Sequence, residues 1–339
     1  MRNKQFDLLR LIAAILVIVS HSFDLPGLRT SEPLHVITNG RFIFSDLGIY
    51  IFFIISGYLI SQSCSNSYSA VNFAVKRILR ILPALIVVVT ITVLVVGPLL
   101  TTNLLHTYFQ SRHTYLYFLN ITLLQMHYEL PGVFQENPFS FVNGSLWTLP
   151  YEALMYLIVA IQFNFSSKRK AKWFSIIVFA LCFACYLANI TQTIPVIRMS
   201  IDKFGLLGTL FASGMVVYHF ELTKDIKMIP WLPVILVNII CLMFLPKLIF
   251  LFIAFPILVF SIANARETIV NQLTRFGDVS YGMYIYAFLV QQIVISQFKV
   301  TPLLLLVNSL IISWVLGYLS WKLVEQPALR WKDQRQVRA

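Results

Sequence analysis

Ten apolar runs order the chain, at 6–24, 42–62, 81–100, 144–164, 173–190, 204–221, 229–245, 247–263, 279–298 and 302–324. Each is close to the twenty or so residues that a helix needs to cross the hydrocarbon core of a bilayer. The pattern predicts an all-α fold, a polytopic transmembrane helical bundle of about ten crossings. Between the third and fourth runs the pattern breaks. Residues 101–143 mix His106, Arg112, His113, His127, Glu129 and Pro131 with a short apolar piece, Tyr115 to Met126. That piece is too short to span, so 101–143 is predicted to be an outer loop with an interfacial or re-entrant segment.

The polar interruptions inside the runs matter most. The first run reads FDLLRLIAAILVIVSHSF, with Arg10 near one end and His21 near the other. The spacing is eleven residues, about three helical turns, so both side chains lie on one face about 16 Å apart along the axis. A membrane helix bears a cost for each ionisable group it holds, and a phased pair points to function.

Composition and charge then set the class. Of 339 residues, 58% are hydrophobic and 12% charged, about half the charge of an ordinary soluble domain. The net charge of +12 comes from Lys and Arg clusters between runs, which excludes nothing but makes nucleic acid an unneeded partner. With the N-terminus inside, alternate exits deliver Lys76-Arg77-Arg80, Lys168–Lys172, Lys224-Lys227, Arg266-Arg275 and Lys332-Arg335-Arg338 to one side. That asymmetry predicts cytoplasmic N- and C-termini, in contact with anionic lipid. The expected organisation is one transmembrane domain over 1–330 and a short cytoplasmic tail at 331–339, with no cleaved leader. Cys64, Cys182, Cys185 and Cys241 lie mostly in apolar runs and read as small buried hydrophobes. No His or carboxylate spacing calls for a metal.

Depth sorts the candidates for chemistry. Arg10, Arg77 and Arg80 fall at the cytoplasmic level, where guanidinium forks suit phosphate; topology anchors are the plainer alternative. His21 and Glu152 fall toward the outer side and are expected to pair, either for acid–base work or as a structural lock between helices. Ser145, Glu152 and Tyr156 share one helix face, as do Ser280, Tyr284 and Gln291. Gly57 and Gly282 are read as points of close helix contact, and Trp173, Trp321 and Trp331 as interfacial belt residues.

Those same residues carry a resemblance. FDLLR with His21, IFFIISGYLI, Arg77-x-x-Arg80, SLWTLPYE, VSYGMY and VEQP stand in one order along nearly the whole chain. Together they resemble the integral-membrane acyltransferase-3 family of bacterial and related enzymes. The region before FFIISG departs from the family, with one glycine, Gly48. The esterase-like extracytoplasmic domain of longer members is not in this sequence, which is similar to the short, single-module members.

The resemblance implies a multi-pass protein of the bacterial cytoplasmic (inner) membrane. It implies transfer of an acyl group, most often acetyl, from cytoplasmic acetyl-CoA as co-substrate to a hydroxyl of a surface glycan or lipid-linked glycan. His21 and Glu152 would be catalytic. Arg10, Arg77, Arg80, Ser280, Tyr281 and Tyr284 would hold the donor. Asn143, Ser145 and Trp147 are candidates for the acceptor or oxyanion site. The rival classes are a transporter or lipid-linked-sugar flippase, which shows paired broken helices, and a non-catalytic scaffold, which gives no reason for the Arg10–His21 stripe.

Overall fold

The computed structural model describes residues 4–165, 167–194, 199–223, 231–263 and 277–330. A helix occupies each of the ten apolar runs. They are α1 (Lys4–Asp24), α2 (Phe44–Ser65), α3 (Ala70–Leu100), α4 (Gly144–Asn164), α5 (Lys168–Leu187), α6 (Ile201–His219), α7 (Trp231–Phe244), α8 (Lys247–Ile262), α9 (Ser280–Gln297) and α10 (Pro302–Arg330). Among the described residues, seven of these, α1 to α6 and α10, are long and apolar enough to cross a membrane. The α7 and α8 helices are shorter, and α9 carries two fully buried glutamines, Gln291 and Gln292. The predicted tail at 331–339 and the Lys224-Lys227, Arg266-Arg275 and Lys332–Arg338 clusters lie outside the described residues.

Helix contacts are set by small residues. A Cβ on Gly57 of α2 would run into the Phe211 carbonyl of α6, and one on Gly282 of α9 would lie 2.7 Å from Gly317 Cα on α10. Both glycines therefore let helix backbones meet, as their sequence context suggests. The α1 helix lies between α2, α9 and α10. Its buried side carries Leu9, Ala13, Ala14, Val17 and Ile18. Large apolar side chains such as Leu157, Leu303 and Leu323 face outward, as a lipid-facing surface requires.

Residues 101–143 hold no helix long and apolar enough to cross a membrane. They form two short helices (Leu105–Gln110, Arg112–Leu116) and a 3₁₀ turn (Tyr117–Thr122) folded back on α3. Tyr108 Oη donates to the Val93 carbonyl at 2.8 Å, and Asn120 exchanges two hydrogen bonds with the His127 backbone. These bonds satisfy backbone groups that a loop at a membrane surface would otherwise expose. Between α5 and α6 in the sequence, Thr193–Ile194 pairs antiparallel with Met199–Ser200, which the apolar pattern does not predict.

Two features position the site. Residues Trp321–Glu325 form a π-helical turn in α10, which aims Glu325 inward; such turns recur at functional positions. The chain before α9, with Gly277 at φ 103°, brings Asp278 to the same place. A side chain at Gly277 would strike the Trp321 ring. Trp321 is therefore no belt residue: it is 8% exposed and its ring lies under the Arg80 guanidinium, 5.8 Å from the centroid. Trp173 is exposed.

Candidate active site

A narrow cavity of about 70 Å³ lies between α1, α2, α3, α4 and α9. Its lining includes Arg10, Arg77, Arg80, Glu152, Ser280, Tyr281 and Tyr284, so the fold gathers every residue expected at the donor site. They come from four helices and almost three hundred positions of sequence.

The arginines are not equivalent. Asp278, 6% exposed, accepts from Arg80 Nη2 at 2.5 Å and from Arg10 Nη1 at 3.3 Å, and its other oxygen accepts from Ser280 at 2.5 Å. Glu325, fully buried, accepts from Arg80 Nη1 at 2.8 Å and from Ser320 at 3.1 Å. Arg80 is thus held by two carboxylates and Arg10 by one. Arg77 has no carboxylate within salt-bridge distance among the described residues. Its Nη2 donates to Ser63 at 3.2 Å, its Nε is buried without a partner, and its guanidinium lies over Phe73 and Tyr156. Arg77, with no carboxylate partner among the described residues, and Arg10, with one bond at 3.3 Å, both keep donor capacity for an anion.

Glu152 belongs to this arginine level. One oxygen accepts from Ser56 at 3.0 Å and from Tyr156 at 2.5 Å. The expected contact with His21 is not made, and this corrects the pairing inferred from depth. His21 lies outside the cavity lining, against Phe288, with ring centroids 5.2 Å apart at 77°. Counting residues from helix ends places two groups along the membrane normal but does not say which helix faces which. Glu152 sits opposite α2 and α3, and His21 sits opposite α9.

Around His21 the bonding is sparse. Among the described residues, His21 Nδ1, Asn143 Oδ1 and Ser145 Oγ are buried without hydrogen-bond partners. The Asn143 amide donates to the Ile285 carbonyl at 2.8 Å, which leaves Ser145 Oγ as the freer donor of the two. Trp147 stands apart from the cavity lining, edge-on to Tyr151 and beneath Lys203. Between the two levels, Tyr284 Oη bonds Thr148 Oγ1 and the Ser145 carbonyl, each at 2.8 Å.

The family model described as an acyltransferase domain matches residues 3–322. The chain belongs to the acyltransferase-3 family. It is 30% identical over 332 residues to an O-acetyl transferase of Shigella phage Sf6, with 96% of both chains covered. It is also 30% identical over 357 residues to Nodulation protein 10 of Rhizobium leguminosarum bv. viciae, covering 97% of this chain and 94% of that one. No solved structure matches it.

For an acyltransferase-3 chain, the residues that sequence reasoning missed are informative. Asp278 and Glu325 organise the arginines, yet neither was singled out. Glu325 stands in VEQP and Asp278 immediately precedes VSYGMY, two of the segments that carry the family resemblance. An acidic residue at the edge of an apolar run was the available signal.

Proposed function

We propose that this chain is a membrane O-acyltransferase that moves an acetyl group from cytoplasmic acetyl-CoA to a hydroxyl of a cell-surface glycan, an O-antigen or exopolysaccharide unit, with His21 as general base. The proposal includes ten crossings, cytoplasmic termini and a place in the bacterial inner membrane. The observation that carries it is the cavity that unites Arg10, Arg77 and Arg80 at one end of α1 while His21 stands with an unpartnered ring nitrogen toward the other. The relative named O-acetyl transferase supports the acetyl group and the hydroxyl acceptor.

The donor's phosphates lie against Arg77, in a field shared with Arg10 and Arg80, and the pantetheine arm follows Tyr281 and Tyr284 outward. The acceptor O–H is deprotonated by the His21 ring as its oxygen bonds the thioester carbonyl carbon. Ser145 Oγ, buried and without a partner among the described residues, is the candidate to steady the oxygen that becomes negative. The carbon–sulfur bond then breaks, and the imidazolium returns its proton to the leaving thiolate. CoA and the acetyl ester are the products, and no other reactant is consumed.

The test is release of CoA thiol by the purified protein in lipid, given acetyl-CoA and surface glycan from a strain lacking the gene. Release that requires glycan, with an acetyl-sized mass gain on the glycan, is expected. Glycan unchanged in mass, with or without the gene, would sink the proposal.

A further inference from the structure

His21 is not part of the cavity lining, and the side chain that reaches it from α9 is Phe288. On α9, Tyr284 lines the cavity and Phe288 comes one turn further out, on the same face. Across from them, Thr148 lines the cavity and Gly144 comes one turn further out. Tyr284 and Thr148 bond to each other at 2.8 Å. Directly beyond that bond, the Phe288 ring fills the space that Gly144 leaves: a Cβ there would lie 2.7 Å from Phe288 Cε2. The other side of the Phe288 ring meets His21 at 5.2 Å between centroids.

Phe288 is buried, at 5% exposure, but it belongs to neither of the two apolar clusters that make up the core. The ring touches His21, whose Nδ1 has no partner among the described residues, and packs on Gly144, whose chain neighbours Asn143 and Ser145 also carry unpaired oxygens.

We propose that Phe288 is the specificity-determining residue of the transfer: its ring, packed against both Gly144 and His21, bounds the space beside His21 and so sets the size of acyl group that can be delivered. The proposal rests on the acyl-CoA assignment made above. An acetyl group ends at the Tyr284–Thr148 level with little beyond the carbonyl to accommodate. A longer acyl chain must enter the space that Phe288 occupies. Each methylene rejected or accepted by an apolar wall changes discrimination by about 10-fold or more. Gly144 is the counterpart, because a methyl group there pushes the ring toward His21.

Binding of CoA, acetyl-CoA, butyryl-CoA and hexanoyl-CoA to the full-length protein in lipid nanodiscs, measured by calorimetry, tests this. In the natural protein the Kd is expected to rise from acetyl- to hexanoyl-CoA. In Phe288→Ala the ratio of hexanoyl to acetyl Kd is expected to fall by about tenfold or more, with the Kd for CoA itself unchanged. Phe288→Leu, which keeps an apolar side chain of intermediate size, is expected to give an intermediate ratio and serves where the alanine variant does not fold. A ratio within about twofold of the natural protein in a variant that still binds CoA overturns the role of Phe288 alone. No binding of CoA by the natural protein overturns the donor assignment, and the role of Phe288 with it.

Discussion

The two ends of α1 solve opposite problems. At the Arg10 end, charge is almost fully bonded: Asp278 joins Arg10, Arg80 and Ser280, and Glu325 joins Arg80 and Ser320. At the His21 end, His21 Nδ1, Gln291 Oε1, Asn143 Oδ1 and Ser145 Oγ are buried with no hydrogen-bond partner among the described residues. A buried ion network is tolerable only when its members are satisfied, and there it locks α1, α3, α9 and α10 together. Unbonded polar atoms destabilise a fold and persist where a ligand completes them. The difference teaches that the cationic end is mainly architecture, with donor capacity left on Arg77 and Arg10, while the histidine end holds unpaired polar atoms and, among the described residues, no ion pair to account for them.

The strongest way to break this comparison is His21→Ala. It is expected to lower CoA release by about 10² to 10⁴, the usual worth of a general base, while the Kd for acetyl-CoA and the thermal midpoint stay near those of the natural protein. Transfer at the natural rate would remove His21 from the chemistry. Next comes Asp278→Asn, which leaves two guanidinium groups short of charge. The expected loss is about 3–5 kcal/mol of stability, read as a lowered thermal midpoint in detergent. An unchanged midpoint would mean that the network is not architectural.

Arg77→Ala sharpens the contrast within the cavity. Having no carboxylate to strand, it is expected to leave the midpoint nearly unchanged and to weaken acetyl-CoA binding by about 1.5–3 kcal/mol, the value of hydrogen bonds to a charged group. Should Arg80→Ala reproduce that profile, the distinction between the arginines fails. The smallest effect is expected from Tyr284→Phe, which deletes the hydroxyl bridging Thr148 and the Ser145 carbonyl. A loss of about 0.5–1.5 kcal/mol in stability is expected, checked by chemical or thermal unfolding.

Much of this was legible along the chain. Apolar run lengths located the ten helices, and the eleven-residue spacing put Arg10 and His21 on one face of α1. The Arg77–Arg80 pair, SLWTLPYE and VSYGMY pointed to the walls of the cavity. What misled was depth: Glu152 was matched to His21 because both count inward from an outer end, whereas its bonds go to Ser56 and Tyr156.

The sequence by itself determined which segments are helices, where each polar group lies along its own axis and which family the chain resembles. These follow from the rise per residue, the helical period and the cost of polar groups in hydrocarbon, all of which are local. Only the tertiary structure decided the neighbours. Asp278 meets Arg10 across 268 positions, Glu325 meets Arg80 across 245, and Phe288 comes to rest between His21 and Gly144. Those meetings depend on how each helix is rotated and which helices pack together. Glycine contacts, a π turn and the closing of ion pairs fix that rotation, and none of them is written in the period of a single segment.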